Sequence, residues 1–385
     1  MPIQDSPHPA RVIRLDAARR IYGDRVDRIL AYLWKSDEDA DAAVASLGGP
    51  RGLATAMARL DGQDVAVPPA VQRIIDHAHD VPPWVDWPTI EAAGRVLLRS
   101  GALGGLVLAC KALPYAYASA GGNKPLVLSG RLTEMAPRRL AETARFIEAV
   151  VAPGGARVGG PGFRIAVKVR LVHAAVRRHL HESGRWRSEL WGLPINQHDM
   201  AGTSLLFSIV LIEGLQQLGC EISTAEADAY VHLWRWMGHI MGIAPELQVA
   251  SAREARRHGE IVDVTSTEPD EDSRALVKSL LESTANSPSL AVRKRAPWLR
   301  PLLDALVREL VGAPLADKLG VRPGKADLAM PALRAAMRGL ELVRQRSRRV
   351  EDGLVGFGME YWARAVNEGM GGAPVDFGAV VPRSA

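Results

Sequence analysis

Apolar positions recur at three- and four-residue intervals through most of the chain, and long β-branched runs alternating in twos are absent. That pattern predicts an all-α protein. It places a helical hairpin over residues 11–48, short helices over 51–82 and one helix over 88–113 with Asp86 as its N-cap. A loop follows over 123–130, then helices over 137–151 and 164–181. An uncharged helix starts after Asp199 and ends at Gly219, which stands where a left-handed C′ residue belongs. Ser223 and Glu226 have capping-box spacing for a helix over 224–241. Within it Tyr230, Leu233, Trp234, Met237, Ile240 and Met241 recur at helical spacing as a core stripe, and Gly242 stops it. A polar loop over 264–273 precedes helices near 274–286, 298–312, 328–346 and 352–369. No internal repeat occurs.

Composition narrows this to one large globular body. The chain has 385 residues, 47% of them hydrophobic, enough to bury a large core. The expected division is an N-terminal arm and first helix (1–29), a helical domain (30–370) and a tail (371–385). Two cysteines, Cys110 and Cys220, build no disulfide framework. The opening MPIQDSPHPARVIRLDAARR has no apolar run behind its charges, so a cytoplasmic location is expected. Residues 101–122 are long enough to span a bilayer, but Lys111, Pro114 and five glycines interrupt them. They read as a buried helix broken near Pro114, with peripheral membrane contact as the alternative. The net charge of +5 is mild, and no aromatic platform or helix-turn-helix accompanies the basic residues, which argues against nucleic acid. HExxH, CxxC and GxSxG do not occur, His232 and His239 are spaced too far apart for a usual zinc pair, and RVGGPGF (157–163) lacks phosphate-loop spacing.

Three stretches remain as candidates for chemistry. FRIAVKVRLVHAAVRRHLH (163–181) has no acidic residue. On a helical wheel Ile165, Val169, Val172, Val176 and Leu180 share an arc of roughly 80°, with His173 at one edge and Lys168 near the other. Arg164, Arg170, Arg177 and Arg178 cover the rest, as a solvated basic face or as an electropositive wall for an anionic cofactor. In RRLAETARFIEAVV, Glu148 lies at the edge of the apolar face, either as a useful base or simply paired with Arg145. In WGLPINQHDMAGTSLLFS (191–208), His198 and Asp199 open the uncharged helix. The positive end of a helix favours neutral imidazole, the form that binds iron, and Ala201, Gly202 and Thr203 would admit a flat macrocycle. The plainer alternative makes Asp199 a cap and leaves His198 facing the loop.

The runs RRLAETARFIEAV, KVRLVHAAVR, WGLPINQHDMAGTSLLFS and EADAYVHLWRWMGHIMG resemble, in order, the latex clearing protein family. That family belongs to a broader group of haem oxygenases that includes the membrane-bound oxygenase of mycophenolic acid biosynthesis. The likeness covers roughly residues 30–370 and is strongest over 139–242. It implies an all-helical domain with a globin-like core around haem b, and oxidative cleavage of C=C bonds in a hydrophobic isoprenoid with dioxygen. It implies His198 as proximal iron ligand with His173 in reserve, Lys168 as distal ligand, Glu148 as base and Arg164 beside the haem; Thr203 joins them as a haem contact from the small first turn of the uncharged helix. Two features depart from the family: valines flank Lys168 where a threonine is expected after it, and the export signal of polymer-cleaving members is missing. The alternatives are a haem-binding or peroxidase-like protein that does not cleave alkenes, and a haem-free helical interaction protein.

Overall fold

The structure, a computed structural model, describes residues 8–128, 136–286 and 296–370. Among these it is all-α, as the apolar periodicity predicts. The helices are α1 (Leu15–Tyr22), α2 (Arg25–Leu30), α3 (Glu38–Ser46), α4 (Pro50–Leu60), α5 (Pro69–His79), α6 (Trp87–Ser100), α7 (Ala102–Val107), α8 (Leu113–Ala118), α9 (Lys124–Leu128) and α10 (Ala136–Val151). Then come α11 (Pro161–Glu182), α12 (Ser188–Trp191), α13 (Gln197–Phe207), α14 (Ile209–Gln217), α15 (Thr224–Ile240), α16 (Ala252–Thr265) and α17 (Glu271–Ala285). The described chain closes with α18 (Ala296–Val311), α19 (Ala313–Lys318), α20 (Met330–Arg346) and α21 (Arg348–Met370).

Helix α15 runs through the centre. Its capping box forms: Ser223 Oγ accepts from the Glu226 amide at 3.2 Å, and Glu226 Oε2 accepts from the Ser223 amide at 2.9 Å. The stripe at Tyr230, Leu233, Trp234, Met237 and Ile240 is buried, with Met241 partly so. Trp236, which the stripe left out, is fully buried and donates its indole N–H to Ala156 O at 2.7 Å. Helices α6, α11, α13, α14 and α16 pack around this axis. Residues 8–29, expected as an arm, are part of the same body: Ala18, Val26 and Ile29 bury against Met200, Ala201 and Ile261.

Several boundaries differ from the sequence expectation, each for a local reason. The helix expected over 88–113 turns by 89° at Gly101, whose φ of +52° suits glycine. It does not break at Pro114. A π turn over Leu108–Ala112 lies just before that proline and absorbs its missing N–H and ring. The hairpin expected over 11–48 is three short helices and a 3₁₀ turn. Part of the loop expected over 123–130 is α9, and α16 and α19 were not anticipated. Helix α16 carries the chain to Thr265, and α17 begins at Glu271 behind its cap Asp270. The tail from Gly371 lies outside the described residues.

The basic face of α11 has a structural explanation. Arg170 is buried and holds buried Asp37, the N-cap of α3, through two bonds of 2.6 and 2.9 Å. Arg177 holds Asp41 at 2.7 Å, Arg178 holds Glu182 at 2.7 Å, and Lys168 is paired with Asp61. The acids missing from α11 are supplied mainly by α3 and the end of α4. Gln197–Gln217 is long and apolar enough to cross a membrane, but 56% of its apolar window is buried within the protein.

Within 157–163, Gly160 and Gly162 serve close approach, while Gly159 has φ +75° and open space around it. A Cβ on Gly162 would lie 2.7 Å from Val150 Cα and 2.8 Å from Ala149 O, both backbone atoms of α10. Gly162→Ala should therefore force α10 and α11 apart and cost about 1–3 kcal/mol. A lowered midpoint in denaturant titration, with helical content retained, is the expected result.

Candidate functional site

A single turn, Leu193 to Asp199, fixes the site. Its backbone is tied to the N-terminal segment, with the Leu193 amide donating to Leu33 O at 2.9 Å and the Gln197 amide to Lys35 O at 2.8 Å. Ile195 has φ +48°, an uncommon value for a β-branched residue, and this re-aims the chain into α13. Asn196, not Asp199, is the N-cap: its Oδ1 accepts from the Asp199 amide at 2.9 Å. The buried Gln197 side chain accepts from the Ala244 amide at 2.8 Å and donates to Gly242 O at 2.9 Å.

His198 is thereby held with little freedom. It is 6% exposed and lines a cavity of about 1120 Å³. Its Nδ1 lies 3.4 Å from Asp199 Oδ1, which favours the tautomer with the proton on Nδ1. Its Nε2 is buried and has no hydrogen-bond partner among the described residues. Asp199 is set in turn by Arg11, whose Nη2 donates to Oδ1 at 2.5 Å, and by Asn196 Nδ2, which donates to Oδ2 at 2.9 Å. Burial opposes the Asp199 charge, but Arg11 and then His198 outweigh it, and its pKa falls to about 2. On α16, burial depresses the neighbouring His258 to about 3, so a second imidazole near His198 is neutral.

The other cavity walls are mostly apolar. Helix α11 contributes Val169, Val172, Val176 and His173, while Phe146 and Leu205 come from α10 and α13. Gly202 and Thr203 face the cavity, and Thr203 Oγ1 donates to Asp199 O at 2.8 Å. Ala201 faces away into the small core with Ala18 and Ile261. The cavity also contains Glu142, whose carboxylate accepts from Arg138 at 3.1 Å.

His198, His173 and Thr203 are thus brought together, whereas three expected residues are not. Lys168 is turned toward Asp61, and its neighbour Val169 takes the cavity wall, because successive helical residues are about 100° apart. Arg164 is exposed on the outer side of α11 and does not line the cavity. Glu148 accepts from Arg145 at 2.8 Å and is also off the wall; the cavity carboxylate of α10 is Glu142, six residues earlier. Nor do Arg170, Arg177 and Arg178 form an anion-binding wall, since α3 and Glu182 neutralise them. Sequence reasoning also missed Arg11, for which no local signal exists. Gly121 leaves room for it: a Cβ there would lie 2.2 Å from Arg11 Cδ.

The arrangement suits a metal that brings most of its own ligands. Among the described residues no three His, Cys, Asp or Glu side chains gather to hold a bare ion. One unpartnered imidazole nitrogen beside a large apolar cavity is the donor set that a haem iron requires from protein.

Comparison with known proteins accords with this fold. Residues 87–342 match the family described as ER-bound oxygenase mpaB/B'/Rubber oxygenase, catalytic domain. The Rubber oxygenase of Streptomyces sp. (strain K30) is 26% identical over 307 residues, covering 75% of this chain and 71% of that protein. The structure of latex clearing protein LCP in the closed state superposes with a TM-score of 0.67 and 22% identity, over 85% of this chain and 90% of that one. The matched segment begins at the first residue of α6, so Arg11 lies outside it.

Asp199 gives the site an acid signature. A carboxylate depressed below 3.8 contributes its full stability above that value and loses it as pH falls through about 2. Arg11→Met should cost about 1–3 kcal/mol at pH 6 in denaturant titration. The gap to wild type should narrow below pH 4, as protonation of Asp199 removes from the wild type the pair that the variant already lacks.

Proposed function

Because the chain belongs to the ER-bound oxygenase mpaB/B'/rubber oxygenase catalytic-domain family, we propose that it is a haem b-dependent oxygenase that cleaves a C=C bond of a hydrophobic isoprenoid with dioxygen. The observation that carries this reading is the buried, unpartnered Nε2 of His198 at the wall of the cavity. A buried nitrogen without a partner costs about 1–3 kcal/mol, a cost that bonding to iron removes. His198 would hold the iron, with Asp199 and Arg11 orienting the imidazole through Nδ1. Haem supplies the dioxygen chemistry when bound.

The protein's own part is binding, orientation and proton handling. The aliphatic wall of α11 and the apolar side of α13 and α14 hold an extended alkene and exclude water. Glu142, and not Glu148, is the carboxylate placed to accept or relay a proton from bound substrate. The balance needs no external reductant: one C=C bond and one O₂ give two carbonyl groups. His173 shares the cavity and stands as the reserve ligand. The rubber oxygenase relative acts on a polymer, as its name states; for this chain the substrate is an isoprenoid that fits the cavity.

An absorption spectrum of the purified protein tests the cofactor. A Soret band in the wild type, absent from folded His198→Ala, is the expected outcome; an equal haem content in that variant would assign the iron elsewhere. Oxygen uptake with isoprenoid alkenes tests the activity. Glu142→Gln should keep haem and lose at least about tenfold in turnover, while Glu148→Gln should behave as wild type.

A further inference from the structure

Lys111 is a charge in an unexpected place. It is 4% exposed, in the π turn between α7 and α8, and it lines the same cavity as His198. Its Nζ donates to the neutral side chain of Gln217 at 2.7 Å, and no carboxylate lies within salt-bridge distance among the described residues. Gly214 makes room for it: a Cβ there would lie 3.1 Å from Lys111 Cδ and 2.3 Å from Val107 Cγ1. The nearby Glu213 also lines the cavity, but its carboxylate is taken by Arg256 at 2.9 Å. Lys111 is therefore a cation at this end of the cavity that no carboxylate pairs among the described residues. Burial lowers the Lys111 pKa to about 8, with Glu213 opposing, which leaves the ammonium mostly protonated at neutral pH.

A buried ammonium facing an apolar cavity is poorly matched to a neutral hydrocarbon, which would strip its solvation and return nothing. An anion would compensate it. The position fits an end group. Gln217 is exposed, so this pole lies where the cavity meets solvent, whereas His198 is buried near the other end of the α13–α14 span. At 1.5 Å per residue the two are separated by about 29 Å along that span. One lysine and one amide match a carboxylate; a diphosphate would call for several cations.

We propose that the substrate is an amphipathic isoprenoid acid, its carboxylate accepting from Lys111 Nζ and the Gln217 side-chain amide, and its apolar tail running along α13 and α14 toward His198. This rests on the oxygenase reading for the fate of the tail, though not for recognition of the head. The cavity is then a measured slot in which the head fixes how far the alkene reaches.

Isothermal titration of the purified protein with geranylgeranoic acid and with its methyl ester tests this directly. The wild type should bind the acid at least about tenfold more tightly than the ester, as expected for hydrogen bonds to a charged group. Lys111→Met, which removes a buried charge at similar volume, should keep its thermal midpoint and bind both ligands alike. Equal affinities in the wild type overturn the proposal, as does an acid preference that survives in Lys111→Met. If that variant does not fold, the wild-type ratio decides alone. Haem content read on the same samples separates the two claims: acid preference in a colourless protein upholds the cationic pole and removes the oxygenase reading.

Discussion

The constraint on which the site depends is one imidazole whose two nitrogens have different fates. Nδ1 of His198 faces Asp199, which is held by Arg11 and Asn196, while Nε2 is buried with no hydrogen-bond partner among the described residues. Orphaned buried nitrogens are uncommon because each forfeits its hydration. Here the backbone of the surrounding turn is over-determined, and the imidazole is buried with its Nδ1 beside Asp199. Two backbone ties to residues 33 and 35, the Asn196 cap and the buried Gln197 amide all act within five residues. The fold spends stability to keep one lone pair available.

The rest of the molecule supports that turn from a distance. Helix α15 and its aromatic residues form the axis against which α13, α14 and α16 pack. Helix α11 gives its aliphatic side to the cavity and its cations to α3, so its charge serves architecture while its valines serve the site. The N-terminal segment crosses over and supplies Arg11, which makes residues before the family-matched region part of the functional unit. The cavity that results is lined largely by apolar side chains, with charged groups such as Asp199, Arg138, Glu142 and Lys111 set among them. Under the proposed function, such a site would take a long hydrophobic molecule and set which of its bonds lies beside His198.

Much of this was legible in the sequence where a residue's role depends on its neighbours in the chain. The 3.6-residue periodicity gave the all-α class, and Ser223 with Glu226 gave the start of α15. His198 stood out because a nitrogen base precedes an uncharged helix. What depends on contacts between distant segments was not legible. Arg11 reaches Asp199 across 188 residues, and nothing local marks it. Lys168, Arg164 and Glu148 were assigned by resemblance, yet one position along a helix is a turn of about 100°, so Val169 takes the wall beside Lys168, and on α10 the cavity carboxylate is Glu142. The basic face of α11 looked like a binding wall because the acids that neutralise it belong mainly to α3. Lys111 was noted only as an interruption of an apolar run, although a lysine there is a signal in its own right.

The most direct test of the central claim is chemical rescue of the axial position. His198→Gly removes the imidazole and leaves a space of its shape. Haem titration of that variant should give no Soret band alone and a restored band when free imidazole is added, because the cavity and the Asp199–Arg11 pair remain to receive it. A variant that binds haem equally well without imidazole, or one that stays colourless with it, would contradict the assignment of His198 as the iron ligand.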